Sequence, residues 1–357
     1  MSNVIDNVID NVLDTLMYHL FMTISQHQRV TMADVAKHAG VSVATVSKVV
    51  NNRYGVSAET LERVQKVITE LGFHTSLGAQ SLRGGRTGVL GILLAEFEPF
   101  STEILKGASA QVSGTEYELL AYSGRSNPNE VGWERRHLAR LSGGVIDGAV
   151  LITPSVSAPV SNFPLVAVDP NIGDTRIPKI ISDNYTGARE ATEYLLRLGH
   201  RRIGFLGGRS DLDSAAQREL GFRDTLKNAG ITPDESLIVS GDFRPAGAVL
   251  ATEALLGHAN RPTAIFAAND SMALQAIDFA RRMNLRVPED ISVIGFDNIP
   301  EAASSAIPLT TVSQPMQMMG KEAVRVMVDL LAGRTTPLEI KLPTELKVRA
   351  SCGPVPN

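Results

Sequence analysis

Thr31–Asn52, TMADVAKHAGVSVATVSKVVNN, is the stretch on which the reading of this chain turns. Thr31-Met-Ala-Asp34 has the form of a capping box: a hydroxyl to receive a free amide and an acid in the electropositive first turn. The helix it opens runs to Ala39-Gly40, where glycine supplies a left-handed stop. Ser42 is then placed to cap a second helix, Val43–Val50. Ala36, Gly40 and Val46 give a small residue at a helix crossing, a tight turn, and a β-branched residue closing the angle. A third helix starts near Ser57, with Leu61, Val64, Val67, Ile68 and Leu71 on one stripe. This predicts a three-helix module containing a helix-turn-helix.

Charge distribution supports a polyanionic partner. The chain is acidic overall, with a formal net charge of −4. Yet from Arg29 to Arg86 eight basic residues stand against four acidic ones, a local basic footprint suited to phosphates. The 43% hydrophobic and 20% charged composition is ordinary for a soluble globular protein, and 357 residues exceed what one compact core usually serves.

From Thr87 the text changes character. Short apolar, β-branched runs occur at Val89–Leu94, Glu118–Tyr122, Gly148–Ile152, Leu165–Val168, Ile180–Ser182, Ile203–Leu206, Ile238–Ser240, Ala264–Ala267 and Ser292–Phe296. Helical stretches such as Ala188–Leu198 and Ser271–Met283 separate them. Strand, helix, strand at this spacing means parallel sheets covered on both faces, and this many strands suggests two lobes.

Residues 31–52 resemble the start of the LacI/GalR family of repressors, matching the pattern TxxDVAxxAGVSxxTVSxVxN at its fixed positions. LGFHTSLGAQSLRGGRTGVLGIL, Leu71–Leu93, resembles that family's third-helix end, hinge helix and first core strand. The resemblance continues through VIDGAVLI (Val145–Ile152), LGHRRIGFLGG (Leu198–Gly208), QRELGFRDTL (Gln217–Leu226), TAIFAANDSMALQAI (Thr263–Ile277) and VPEDISVIGFDNIP (Val287–Pro300). It implies an all-α helix-turn-helix DNA-binding domain followed by α/β: two doubly wound parallel-sheet lobes, periplasmic-binding-protein-like. The implied domains are a disordered extension (1–28), the helix-turn-helix (29–75), a hinge (76–86), an effector-binding and dimerisation domain (87–350) and a tail (351–357). Within the large domain, 87–182 with 299–313 are assigned to one lobe, and 183–298 with 314–350 to the other. The crossings are expected near Ser182-Asp183, Asn298–Pro300 and Thr311–Ser313.

The family's docking mode puts the second helix in the major groove. Val43 and Ala44 then face base edges through apolar contacts, and Lys48 can donate to guanine. Thr31, Ser42, Thr45, Ser47 and Asn51 are short polar groups suited to the phosphate backbone or the turn. Leu82 matches the hinge leucine that wedges into the minor groove of operator DNA, and Arg83 and Arg86 add phosphate contacts.

For the effector, the resemblance points to a cleft between the lobes, beyond the carboxyl ends of the strands. Asp297 ends one strand and Asn269 another. Arg218 stands at the family's ligand-binding arginine position. Asp169 follows LVAV, and Phe100 and Phe243 lie in loops where an aromatic can cover a sugar's apolar face. Carboxylate, amide and guanidinium groups suit vicinal hydroxyls. Asp147 and Asp270 are read as satisfying loop backbone, and Trp133 as packing.

The expected protein is a cytoplasmic homodimeric repressor, not an enzyme. Its operator binding is controlled by a sugar inducer, with a purine-type corepressor as the alternative. One cysteine, Cys352, and no metal-ligand spacing predict neither disulfide, metal nor cofactor. GGRTG at Gly84–Gly88 lacks the lysine of a phosphate loop. Residues 1–28 have neither the basic start nor the cleavage site of a signal peptide, and their apolar run is too short for a bilayer. With no leucine heptad tail after LKVRASCG, a tetramer of the kind such a tail supports is not expected.

Overall fold

The computed structural model describes residues 30–50, 54–73, 86–124, 132–142, 144–155, 161–171, 173 and 176–356. The expectations for residues 1–28, Asn51, Leu82 and Arg83, and for all of the hinge except Arg86, lie outside the described residues. The chain divides into two compact units, Met1–Arg83 and Gly84–Asn357.

In the first unit, α1 (Met32–Ala39), α2 (Val43–Val50) and α3 (Ala58–Leu71) pack around Val35, Val46 and Val64, all fully buried. Local chemistry sets each boundary. The Thr31 amide and hydroxyl both donate to Asp34 Oδ2, at 2.8 and 2.7 Å, closing the capping box. Gly40 stops α1 at φ 66°. Ser42 Oγ accepts from the Thr45 amide at 3.1 Å, and Ser57 Oγ from the Thr60 amide at 3.3 Å.

The second unit holds two six-stranded sheets. The first contains β1 (Val89–Leu94), β2 (Glu118–Ser123), β3 (Gly148–Ile152), β4 (Leu165–Val168), β5 (Lys179–Ser182) and β11 (Glu339–Leu342), in the order β11-β5-β4-β3-β1-β2, all parallel. The second contains β6 (Ile203–Gly207), β7 (Ile238–Ser240), β8 (Ala264–Ala267), β9 (Ser292–Asp297), β10 (Thr310–Ser313) and β12 (Glu345–Lys347), in the order β12-β10-β9-β8-β6-β7. Only β12 runs antiparallel. Every residue of β1, β3, β4, β6, β8 and β9 is buried, as continuous apolar strands covered on both faces must be. Phe205, Phe222 and Phe266 fill the centre of the second lobe, with ring centroids 4.9 and 5.3 Å from Phe205.

The lobe assignment read from the sequence needs correction beyond its first crossing. Thr310–Ser313 pair in register with Ile294–Asp297, so residues 299–313 stay in the second lobe. The helix Met316–Leu331, by contrast, packs on the first sheet against the helix Pro99–Val112. A Cβ on Gly107 would lie 1.9 Å from the Gln317 carbonyl, and one on Gly320 2.0 Å from that of Ile104. These two glycines let the backbones touch, and this contact holds the late helix in the first lobe. The chain therefore crosses at Asp183, at Gln314-Pro315 and between Leu342 and Glu345.

Arg86 also differs from expectation. Its Nη1 donates to the Tyr117 hydroxyl at 3.1 Å and its Nη2 to the Leu331 carbonyl, so the core engages it. Asp147 accepts from the amides of Thr87 and Gly88, and Trp133 is buried in a small apolar cluster. Burial pushes the Cys352 thiol up to about 12 while it donates to the Val293 carbonyl, which suits an inert thiol.

Candidate functional site

Two features are candidates for recognition, one in each unit. The first is the face of α2. Burial of Val46 and Val49 fixes its orientation, and Ser42, Val43, Ala44 and Lys48 are left exposed. Val43 keeps 48% of its surface. Thr45 and Ser47 are half-buried; the Thr45 and Ser42 hydroxyls lie 2.9 Å apart. Thr31 is exposed, with its hydroxyl committed to Asp34. The structure thus places an apolar pair and one cation at the start and middle of the second helix.

The second feature is a cleft of about 190 Å³ between the lobes, more than ten times the roughly 10–15 Å³ that one water needs. It collects all six residues proposed from the sequence: Phe100, Asp169, Arg218, Phe243, Asn269 and Asp297. The reason is topological. β4, β7, β8 and β9 all end at the cleft, so the residues following them converge there.

Arg218 forms the floor. It lies on α7 (Asp213–Asn228; α4, α5 and α6 being Pro99–Val112, Trp133–Leu141 and Asn184–Arg197) and is 2% exposed. Its Nε donates to Asn184 Oδ1 at 2.9 Å, and its Nη1 to the Ala268 carbonyl and to Asp297 Oδ1 at 3.4 Å. Its guanidinium carbon sits 3.9 Å from the centre of the Phe296 ring and 5.5 Å from that of Phe243. Gln314 Nε2 donates to the same Asp297 oxygen at 2.6 Å. Asn269 caps α9 (Asp270–Arg282; α8 being Pro245–Leu256), accepting from the Met272 amide at 2.9 Å. Ser214 donates to Asp169 Oδ2 at 3.1 Å and ties the two lobes together. Phe100 is only 8% exposed and belongs largely to the core while also lining the cleft.

Burial dominates the electrostatics. It raises the Asp297 carboxyl to about 7, against the opposing pull of Arg218 and Gln314. It raises Asp169 and Glu98 as well. Asp270, beneath the site, is pushed well above the usual carboxylate range by burial and by Asp297; it accepts from the Ile299 amide and the Thr311 hydroxyl. Burial also lowers the Arg218 pKa, which Asp297 and Asp169 oppose.

Backbone strain gathers at the same place. Among the described residues, seven non-glycine residues have positive φ, and five of them line the cleft: Thr153, Asp169, Asp242, Phe243 and Asp297. Such conformations persist where surrounding structure enforces them, commonly at ligand sites. Sequence reasoning missed Phe296, Asn184, Gln314 and Glu98. The Asn184 and Gln314 positions carried no local mark, whereas Phe296 precedes Asp297 and was readable only as core.

Comparison with known proteins gives a consistent picture. Residues 31–76 match the family described as bacterial regulatory proteins, lacI family, and residues 192–352 match a periplasmic binding protein-like domain. The HTH-type transcriptional regulator CelR of Thermobifida fusca is 34% identical over 344 residues, covering 92% of this chain and 100% of that protein. The HTH-type transcriptional repressor PurR of Pectobacterium carotovorum is 34% identical over 85% of this chain and 91% of its own. Among solved structures, a CelR–cellobiose complex aligns with a TM-score of 0.68 at 34% identity, covering 90% of this chain and all of that one. A lac repressor dimer bound to operator and an anti-inducer aligns at 0.78 and 28% identity, covering 91% of this chain and 99% of that one.

Proposed function

Since the chain belongs to the lacI family of bacterial regulatory proteins, we propose that it is a transcriptional repressor whose operator affinity is set by a sugar in the interlobe cleft. The observation that carries this is the exposed start of α2, Val43 and Ala44 with Lys48 one turn on, above a helix face anchored by Val46 and Val49. In a major groove the apolar pair contacts thymine methyls, and the ammonium donates to guanine. Asn51 and the short hydroxyls position the helix on phosphates, Leu82 wedges into the minor groove at the operator centre, and Arg83 adds a phosphate contact.

The cleft supports the other half of the reading. Asp297, Asn269, Arg218 and Asp169 offer acceptors and donors for vicinal hydroxyls, and Phe243 an apolar face. The neighbour solved with cellobiose supports a sugar in particular. A ligand that bridges Asp169 on one lobe and Asp297 on the other favours closure. In a two-state switch, closure is coupled to loss of hinge order and of operator affinity. The protein acts as a homodimer in the cytoplasm and does not turn its ligand over. Among the described residues, no helix is long and apolar enough to cross a membrane.

The test is duplex selection from random DNA by the purified full chain, followed by mobility shifts on the selected sequence with sugars and purines added. A two-fold symmetric site released by a sugar is expected. No preferred duplex at moderate salt would end the repressor reading. Tighter binding with a purine would replace inducer by corepressor.

A further inference from the structure

The charges lining the cleft are unbalanced. Glu96, Glu98, Asp169, Asp242 and Asp297 face Arg209, Arg218 and Arg244. Each of these arginines already has an acid. Arg209 binds Asp211 through two nitrogens, Nε at 3.0 Å and Nη2 at 2.5 Å. Arg218 is held by Asp297, and Arg244 lies 3.7 Å from Glu96. Each guanidinium of the lining thus already faces an acid, which weakens its pull on a phosphate or carboxylate arriving on a ligand.

Of the helices whose N-terminal ends line the cleft, α4 and α9 begin with a side-chain cap, whereas α7 and α8 have none, α7 carrying Asp213 in its first turn and α8 opening on Pro245. A helix N-terminus is where an anion would ordinarily bind. At α4 that position is taken by the Glu98 carboxylate, which accepts from the amides of Phe100 and Ser101 at 2.9 Å each and from the Ser101 hydroxyl. At α9 the Asn269 side chain takes the Met272 amide. Among the described residues, side-chain hydrogen bonds fall on Oδ1 of Asp297 and Oδ2 of Asp169, and the other oxygen of each can accept from a ligand.

We propose that the cleft selects uncharged or cationic polyhydroxy effectors and excludes anionic ones, with Glu98, Asp169 and Asp297 as the selecting residues. This rests on the reading of the cleft as the effector site. A ligand hydroxyl or ammonium donates to carboxylates crowded in a low-dielectric wall, which relieves their mutual repulsion. A phosphate adds like charge there, with α4 already occupied and every arginine paired. Sugar phosphates, uronates and nucleotides are thereby rejected on charge before shape is considered.

The experiment is a thermal-shift and operator-release panel on the full chain. Glucose, ribose and cellobiose are the neutral probes and glucosamine the cationic one. Glucose 6-phosphate, ribose 5-phosphate, glucuronate and AMP are the anionic probes. The expected result is that stabilising compounds come from the first two groups only, and that Arg218→Ala abolishes the shift. Stabilisation by an anionic probe that Arg218→Ala removes would overturn the selectivity, as would no stabilisation by any neutral or cationic probe. As a second arm, Asp169→Asn and Glu98→Gln should each improve binding of the anionic counterpart, relative to its neutral sugar, by about ten-fold; an unchanged ratio in both counts against the proposal. Operator binding is read in the same samples. Its absence would defeat the repressor reading, whereas operator release by an anion would defeat the selectivity alone.

Discussion

The guanidinium carbon of Arg218 lies 3.9 Å from the centre of the Phe296 ring. Phe296 directly precedes Asp297, the carboxylate that Arg218 also engages. One strand end thus gives the buried cation both an aromatic face and a counter-charge. A desolvated cation–aromatic contact of this kind is worth about 2 kcal/mol or more, and a planar guanidinium suits it better than an ammonium does.

Arg218→Ala should therefore abolish the ligand-induced rise in melting temperature while operator binding persists. Arg218→Lys should fail to restore it, because an ammonium cannot reach Asn184, Ala268 and Asp297 from one plane. An unchanged dose response in either variant would show that the cleft is wrongly assigned.

Gly208 bears on the same floor from behind. A Cβ there would stand 2.1 Å from the Phe243 ring, whose residue sits at φ 58°. Gly208→Ala should displace the ring and weaken effector binding ten-fold or more, about 1.4 kcal/mol, with operator binding retained. Calorimetric titration of the variant against the parent checks this; equal affinities would show that the ring is not part of the ligand's wall.

Lys48→Ala should cost about 1–3 kcal/mol in operator affinity and relax selection at one base pair if the lysine reads guanine. Loss spread evenly over all sequences, with a shallower salt dependence, would instead make it a phosphate contact. Leu82→Ala, at a position outside the described residues, should weaken specific binding by a few kcal/mol and leave ligand affinity intact. Equal operator binding by this variant and the parent would remove the wedge.

The cleft carboxyls predict a pH dependence. Asp297 goes from 3.8 in an ordinary setting to about 7 in the fold, so the folded state binds more protons between those values. A group raised in this way contributes stability that is full below about pH 4 and is lost as pH rises to about 7. Asp169, Glu98 and Asp270 are raised too and act in the same sense. The ligand-free protein should melt several degrees lower at pH 8 than at pH 5.5, and Asp297→Asn should flatten that slope. Parallel slopes for the variant and the parent would dismiss Asp297 as the source.

Local chemistry made much of this legible in advance. Thr31 with Asp34, Gly40 and Ser42 mark the helix ends of the first unit, because capping and left-handed turns depend on residues within one helical turn. The buried strands of both lobes showed themselves as short apolar runs. Asp169, Phe243, Asn269 and Asp297 came together in the cleft because parallel strands deliver the residues at and after their ends to one edge, and the helices carrying Phe100 and Arg218 bring these two to it.

The sequence by itself, then, determined the helix-turn-helix, the two-sheet class and most of the residues at the cleft, since each depends on short-range pattern or on strand direction. Only the tertiary structure decided which lobe owns residues 299–342, because that turned on Gly107 meeting the Gln317 backbone and Gly320 that of Ile104, partners far apart in the chain. Only it assigned Phe296 and Asn184 to Arg218 and Gln314 to Asp297, and set every arginine of the cleft lining beside an acid. Partnerships between residues far apart in the chain come from packing, and no local pattern carries them.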